Sequence, residues 1–323
     1  MRARLWATIA TLQALTLAPA ALAEPFTTVD QNPLLTGYGL PQTVAVRALP
    51  KHGQSLTVTL NWSNTSLIQK NANESLVVDA ESREWRLSYE FAPSERWAVR
   101  LDIPYRKISG GSLDHFIEHW HSLFGLPNGD RPALPRNQLN IAYQGPNDSL
   151  HFTRDVSGIG DAETILSYLM RSTPTQATRI WTQIKWPTGD ADKLLGSGAL
   201  DASIGLSHER AISSRWQTFG QLGVTYLGTE NLLRNQQRHT VWSGSLGFDY
   251  LYSQALTLTM QLDGHTAVFK NSSQNLLGNA WILTTGGSYR FGKNWRAQFG
   301  VGEDVKVDAS PDVTFVVMVG KGF

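Results

Sequence analysis

Apolar and polar residues alternate with a period of two along most of this chain. Trp216, Thr218, Gly220, Leu222, Val224 and Tyr226 interleave with Gln217, Phe219, Gln221, Gly223, Thr225 and Leu227. Leu256, Leu258, Met260 and Leu262 interleave with Thr257, Thr259, Gln261 and Asp263, and the same pattern recurs over 97–106 and 179–186. This is the mark of a strand with two unlike faces. Twelve such segments follow one another, near 55–67, 75–91, 96–109, 156–172, 177–188, 198–212, 214–228, 238–252, 255–270, 279–291, 294–305 and 312–323.

The strand ends say where these faces belong. Tight turns near 92–95, 173–176, 212–215, 252–255 and 291–294 are flanked mostly by aromatics: Phe91, Trp97, Trp216, Tyr250, Tyr252, Phe291 and Trp295. At the opposite ends stand Trp62, Tyr105, Trp186, Tyr226, Trp242 and Trp281. Two aromatic girdles around an apolar band are expected where strands cross a bilayer, whereas a soluble sandwich sends its aromatics to the core. The pattern therefore predicts an all-β chain: a transmembrane antiparallel up-and-down β-barrel of about twelve strands. An even count puts both ends and all tight turns on the periplasmic side. Phe323, the last residue of an alternating strand, is the expected contact for the barrel-assembly machinery. Lys321 stands where a second hydrophobic residue is usual, at a level where a lysine can snorkel to headgroups.

The outer connections near 189–197, 229–237, 271–278 and 306–311 are modest, but the one over 110–155 is long enough to suggest a role. Leu113, Phe116, Ile117, Trp120 and Phe124 form one apolar stripe of a short helix, which Gly125 and Pro127 should end. Its stripe must pack on the barrel mouth, the lumen wall or the outer lipid leaflet. Phe116, Glu118, Trp120 and Phe124 are the gate candidates. Segments 138–144 and 149–155 would raise the count to fourteen if they entered the wall. The turn Gly145-Pro146-Asn147-Asp148 and the short arms favour a hairpin within the loop. Residues 24–54, with apolar Phe26, Leu34, Leu35, Tyr38 and Leu40, form either a periplasmic segment or a plug.

Composition narrows the picture further. Arg2 and Arg4, a short apolar stretch and Ala21-Leu22-Ala23 read as a signal peptide over 1–23, leaving Glu24 as the first mature residue. The remainder carries 26 basic and 27 acidic side chains, no bias towards nucleic acid. Cysteine is absent, so neither disulfides nor thiol chemistry enter. No later stretch of about 18 apolar residues could span a bilayer as a helix. The expected setting is the outer membrane of a Gram-negative bacterium, the expected partners are its lipids, and the expected state is a monomer.

Candidate chemistry is thin. His115-Phe116-Ile117-Glu118-His119 matches the H-x-x-E-H pattern of inverted zinc peptidases, but no third ligand is evident, and a solvated helix face is the default. No cofactor is expected. A lipid-active hydrolase needs a hydroxyl within reach of a histidine base and an oxyanion donor, and the predicted strands hold few histidines, His208 and His265. The lumen face is richer. By alternation it carries Arg86, Arg100, Asp102, Arg106, Asp161, Glu163, Arg179, Lys185, Asp263, His265 and Arg296 as candidate lining residues. Both signs are balanced, which fits a salt-bridge lattice as well as a polar pore.

The stretch from Asp114 to Gly129 (DHFIEHWHSLFGLPNG), with Asn32-Pro33-Leu34 and Gly39-Leu40-Pro41, resembles an uncharacterised outer-membrane family known as domain of unknown function 3187. The resemblance covers essentially the whole mature chain. It implies a barrel and brings no established activity or site residues. Gly158-Ile159-Gly160-Asp161, Pro187-Thr188-Gly189-Asp190 and Gly196-Ser197-Gly198 resemble, more weakly, the channel-like proteins named for the meta-cleavage pathway of phenol degradation, which implies transport of small aromatic or apolar molecules. The leading expectation is a channel for passive passage of a small solute. The alternatives are an outer-membrane lipid-active hydrolase and a structural or adhesive barrel.

Overall fold

The computed structural model describes residues 23–46, 49–125, 130–229 and 232–323, without the side chains of 121 and 124. All but the last residue of the expected signal peptide lies outside them. The strands are β1 (Gln54–Lys70), β2 (Ser75–Phe91), β3 (Trp97–Ser109), β4 (Asn140–Gln144), β5 (Ser149–Phe152), β6 (Val156–Ile159), β7 (Glu163–Thr173), β8 (Gln176–Lys185), β9 (Asp201–Ala211), β10 (Trp216–Tyr226), β11 (Thr240–Leu251), β12 (Leu256–His265), β13 (Ala280–Phe291), β14 (Trp295–Asp304) and β15 (Val313–Gly322). One helix, α1 (Asp114–Phe124), lies between β3 and β4.

Every neighbouring pair is antiparallel, and β1 pairs with β15 from Ser55↔Gly322 to Asn64↔Val313, which closes the sheet. Segments β6 and β7 act as one wall strand: β6 pairs with the long-loop end of β3 and β7 with the short-turn end. The break has a local cause. Pro104 in β3 accepts the Gly160 N–H at 2.8 Å but has no N–H to return, so the ladder parts there. The wall is thus twelve strands. Segments β4 and β5 form a hairpin whose first arm pairs with Ser75–Asp79 of β2, outside the closed wall.

Alternation sorts the side chains as the pattern predicts. Leu206, Leu222, Leu246, Phe248 and Phe299 are exposed on the outer face. Gln217, Gln221, Gln261 and Gln298 are buried inside. At the short-turn end the Trp97 ring packs, tilted, on Tyr168 at 4.8 Å and the Trp216 ring on Tyr250 at 4.9 Å. The Lys321 ammonium lies 5.2 Å from the Trp295 ring and 5.0 Å from the Phe323 ring. The lysine at this otherwise hydrophobic position is therefore held over two girdle aromatics by cation–π attraction.

The long loop divides into two parts. Helix α1 begins where Glu81 Oε2 accepts the N–H groups of Ser112 (2.7 Å) and Leu113 (2.9 Å). It ends at Gly125, whose φ of +68° is the left-handed cap conformation glycine tolerates. Pro127 lies outside the described residues. Leu113 and Ile117 pack with Val313, Trp62, Val301 and Phe315, all on the outward face. The helix therefore lies against the outside of the wall, not over the mouth. The hairpin covers the mouth instead. Its Ile141 and Tyr143 join Leu67, Leu76, Val78, Leu227, Val241, Phe269, Leu276 and Leu277 in the largest apolar cluster of the protein.

The Phe323 backbone closes the barrel seam, donating to the Gln54 carbonyl at 2.8 Å. Deleting Phe323 is expected to lower the yield of assembled barrel. Heat-modifiable gel migration measures this, and an unchanged folded fraction would remove Phe323 from the assembly signal.

Candidate functional site: the barrel lumen

The inward faces of β2, β3 and β7 bear a lattice of buried charges. The Arg86 guanidinium meets Glu84 at 3.0 Å, Glu163 at 3.0 Å and Asp102 at 3.8 Å. Arg100 grips Asp102 through Nε (2.7 Å) and an Nη (2.6 Å), and Arg106 donates to Glu84 at 2.8 Å. Breaking a buried pair costs far more than the pair contributes, because the orphaned charge stays desolvated. This lattice is one rigid unit.

A second cluster lies where β7, β8 and β9 meet the long-loop end. The Lys185 ammonium stands 3.0 Å from both Asp161 and Asp201. Asp161 also accepts the N–H groups of Gly189 (2.7 Å) and Ser197 (2.9 Å). The glycine-rich connection between β8 and β9 is thereby folded against the inner wall. It also touches the lattice, because Arg106 donates to the Leu195 carbonyl at 2.9 Å.

Residues 24–46 run through this interior. Near the short-turn end, Glu24 accepts from Arg290 at 2.7 Å, and the Phe26 N–H donates to Gln261 at 2.9 Å. Higher up, Thr28 donates to Asp263 at 2.8 Å and Asp30 meets His265 Nε2 at 3.0 Å. Leu34, Leu35, Tyr38 and Leu40 enter the apolar cluster at the mouth. The chain then descends. The Gly39 N–H donates to Asp201 at 2.8 Å, Gln42 accepts from Arg100 at 2.7 Å, the Val44 N–H donates to Gln221 at 2.8 Å and the Val46 N–H to Glu209 at 2.6 Å. Two glycines make the fit possible. A Cβ on Gly39 would stand 2.9 Å from the Asp201 Cβ, and one on Gly300 would stand 2.9 Å from the Phe26 ring. The cavities left beside the segment include ones of about 30 and 20 Å³, room for about one water each.

All eleven lining candidates face this interior. Arg86, Asp102, Arg106, Glu163, Arg100 and, through the β8–β9 connection, Lys185 and Asp161 form a connected set. Arg179 lies apart, 3.5 Å from Glu90. Asp263 and His265 bind residues 28–43, and Arg296 lies 3.7 Å from Glu24. Sequence reasoning missed Glu84, which shares its alternation phase with Arg86 and was readable in the same way. It also missed Glu24, Asp30 and Gln42, which lie in a segment without periodicity and carry no such signal.

The gate candidates are placed elsewhere. Phe116 packs on Phe315 at 6.0 Å and stacks on Trp120 at 6.2 Å, on the outside of the wall. Glu118 pairs with Arg136, and the side chain of Phe124 lies outside the described residues. A helix on the outer wall cannot obstruct the lumen, and the residues that pack over the mouth are those of the hairpin and of 34–40. His115 and His119 are exposed, and among the described residues no cluster of three or more His, Cys, Asp or Glu could hold a metal ion. The two strand histidines differ in their surroundings. His265 has a carboxylate on Nε2 and the Thr266 carbonyl on Nδ1. His208 bonds the Thr178 hydroxyl at 2.8 Å on an exposed face.

The family described as "Protein of unknown function (DUF3187)" matches residues 4–323. The chain belongs to that family. No curated protein matches it by sequence. Among solved structures it is similar to the COG4313 outer membrane channel from Pseudomonas putida F1, at 12% identity and a TM-score of 0.61, covering 88% of this chain and 100% of that one. More distant similarities are to the KdgM porin (10% identity, TM-score 0.44, 83% and 99% covered) and the Pseudomonas putida toluene transporter TodX (11%, 0.41, 84% and 89%). At such identities the likeness concerns the fold alone: a closed antiparallel β-barrel of the kind found in outer membranes.

Two outcomes test the energetics of the lumen and its cover. Arg86→Met is expected to cost about 3–5 kcal/mol by leaving Glu84, Glu163 and Asp102 without their shared cation, seen as a lower heat-modification midpoint. Glu74, in the β1–β2 turn, clamps the cover by accepting from Ser272, from the Ser273 N–H at 2.6 Å and from Tyr143 at 3.0 Å. Burial alone would raise its carboxyl pKa, but these hydrogen bonds outweigh it and hold the group below the usual range. A depressed folded pKa gives stability that is present above the unfolded value of about 4.3 and lost as pH falls through the folded one. Amide exchange in 140–144 should therefore quicken, relative to the barrel strands, as pH falls below that value. Glu74→Gln should remove this pH dependence.

Proposed function

We propose that this protein is an outer-membrane channel for a small solute, held closed at rest by residues 24–46 acting as a plug. The observation that carries this reading is the way the plug is held. Along its two crossings of the barrel its polar contacts with the wall are mostly single hydrogen bonds to Gln, Asp, Glu and Arg side chains. Each such bond is worth about 0.5–1.5 kcal/mol net, and water can replace it. The wall behind the plug is thus already a polar pore surface. The largest apolar contact region is at the mouth, where 34–40 meet the outer loops and the hairpin; deeper in the barrel, smaller ones join Val44 to Ile165 and Trp181 and Val46 to Leu169 and Ala177. The mouth region is the gate, and passage requires its opening.

The buried charges give the pore balanced selectivity. The lattice on β2, β3 and β7 contains both signs, and no ring of one sign would favour cations or anions strongly. Passage through such a pore involves no bond-making, and we propose no catalytic role for the chain. The structural likeness to a channel supports this reading through the fold only. A structural barrel is the second reading, favoured by the small size of the cavities beside the plug.

Planar-bilayer recording separates the two. The intact protein is expected to show a low conductance or a closed state. Deleting residues 25–46 from the mature chain, with Glu24 kept, is expected to produce steady open-channel steps. If the deleted protein runs as a folded barrel on gels and still passes no current, the lumen does not conduct and the channel reading fails. Gly300→Leu is the milder test. It drives a side chain into the Phe26 pocket and should raise the open fraction without removing the plug.

A further inference from the structure

The start of the plug has a chemistry that its hydrogen bonds alone do not explain. The Glu24 backbone nitrogen donates to Asp249 Oδ2 at 2.9 Å. Asp249 is 1% exposed, and Thr259 donates to its other oxygen at 2.7 Å. Among the described residues no Lys, Arg or His side chain pairs with Asp249. Arg290 and Arg296, the nearby cations, are engaged by the Glu24 carboxylate at 2.7 and 3.7 Å. Glu209, within electrostatic range of both acids, is also 1% exposed, and its Oε2 has no hydrogen-bond partner. Three acidic groups thus share one buried corner, in which Arg290 and Arg296 bond Glu24, Arg179 and Arg290 act on Glu209 and Asp249 only at a distance, and no cationic side chain touches Asp249. A buried carboxylate without a counter-charge is strongly unfavourable.

The missing charge would come from the chain itself. The small-x-small sequence Ala21-Leu22-Ala23 directs hydrolysis of the Ala23–Glu24 peptide bond. Water adds across that bond, Ala23 leaves as a carboxylate, and the Glu24 nitrogen becomes a free amine that is protonated at neutral pH, its unperturbed pKa being about 7.7–8.0. We propose that this α-ammonium is the buried counter-ion of Asp249, and that leader cleavage completes the site that anchors the plug. Before cleavage the same nitrogen is a neutral amide with one N–H. After it, the nitrogen carries a full positive charge and three donors at the point where a carboxylate oxygen already waits. Charge-assisted bonds of this kind are roughly twice as strong as neutral ones. The barrel thereby distinguishes a processed chain from an unprocessed one, and holds the plug of the processed chain more tightly.

The test is amine accessibility in the full-length protein, expressed with its leader and purified folded from outer membranes. N-terminal sequencing should read Glu24 first. Acylation with a succinimidyl acetate, followed by peptide mass mapping, should modify the exposed Lys51 and Lys293 while the Glu24 α-amine reacts about tenfold more slowly or less. Unfolding should remove this difference. In D249N the α-amine is expected to react at the rate of Lys51 while the barrel still runs as folded. A single glycine inserted after Glu24, with Asp249 intact and the cleavage site unchanged, should weaken protection in the same way by shifting the ammonium out of register with the plug. A mature chain beginning elsewhere, a wild-type α-amine as reactive as Lys51, or D249N retaining full protection would each overturn the proposal. None of these readouts depends on conduction, so the anchor and the channel reading can fail separately.

Discussion

The pairing of β1 with β15 is the contact on which the rest of the structure depends. Ten residue pairs, from Ser55↔Gly322 to Asn64↔Val313, join the first strand to the last. In a bilayer an open sheet edge would leave a row of N–H and C=O groups with nothing to bond, so the sheet is stable only when closed. Closure also turns a two-faced sheet into a wall with an inside and an outside. Each strand's alternation is then read in one sense only: apolar outward to lipid, polar inward.

An inside lined with charges and amides has to be satisfied. The protein does this in three ways, graded along the barrel. On β2, β3 and β7 the charges satisfy one another. Along β8 to β14, residues 24–46 provide backbone N–H groups and short polar side chains to Asp201, Gln221, Gln261, Asp263 and Glu209. At the mouth the polar wall gives way to an apolar cluster built from the plug, the hairpin and the outer loops. The largest apolar core is therefore not in the membrane-spanning part. It caps the mouth, where loops can rearrange more freely than wall strands.

The alternation made the twelve wall strands, both girdles and the lining face legible, because period two is imposed by backbone geometry at every residue. Glu84 was legible by the same rule as Arg86. The long loop was half legible. The stripe Leu113, Phe116, Ile117 and Trp120 announced a helix, and Gly125 its end, but an amphipathic face does not name its partner. Val301 and Phe315 are partners on the last two strands while Trp62 is on the first, and only closure sets the first strand beside the last beneath the helix. Residues 24–46 were least legible, since irregular backbone has no period to read.

By itself, then, the sequence determined what each strand residue faces, that about twelve strands build the wall and at which end the aromatics and turns gather. These follow from local geometry and from the demand that every backbone polar group be bonded in lipid. The tertiary structure alone decided what fills the lumen, which part of the long loop covers it, and that the Glu24 nitrogen meets Asp249 across 225 residues of sequence. Such pairings depend on the distance across a closed barrel, a quantity that exists only once the first and last strands have met.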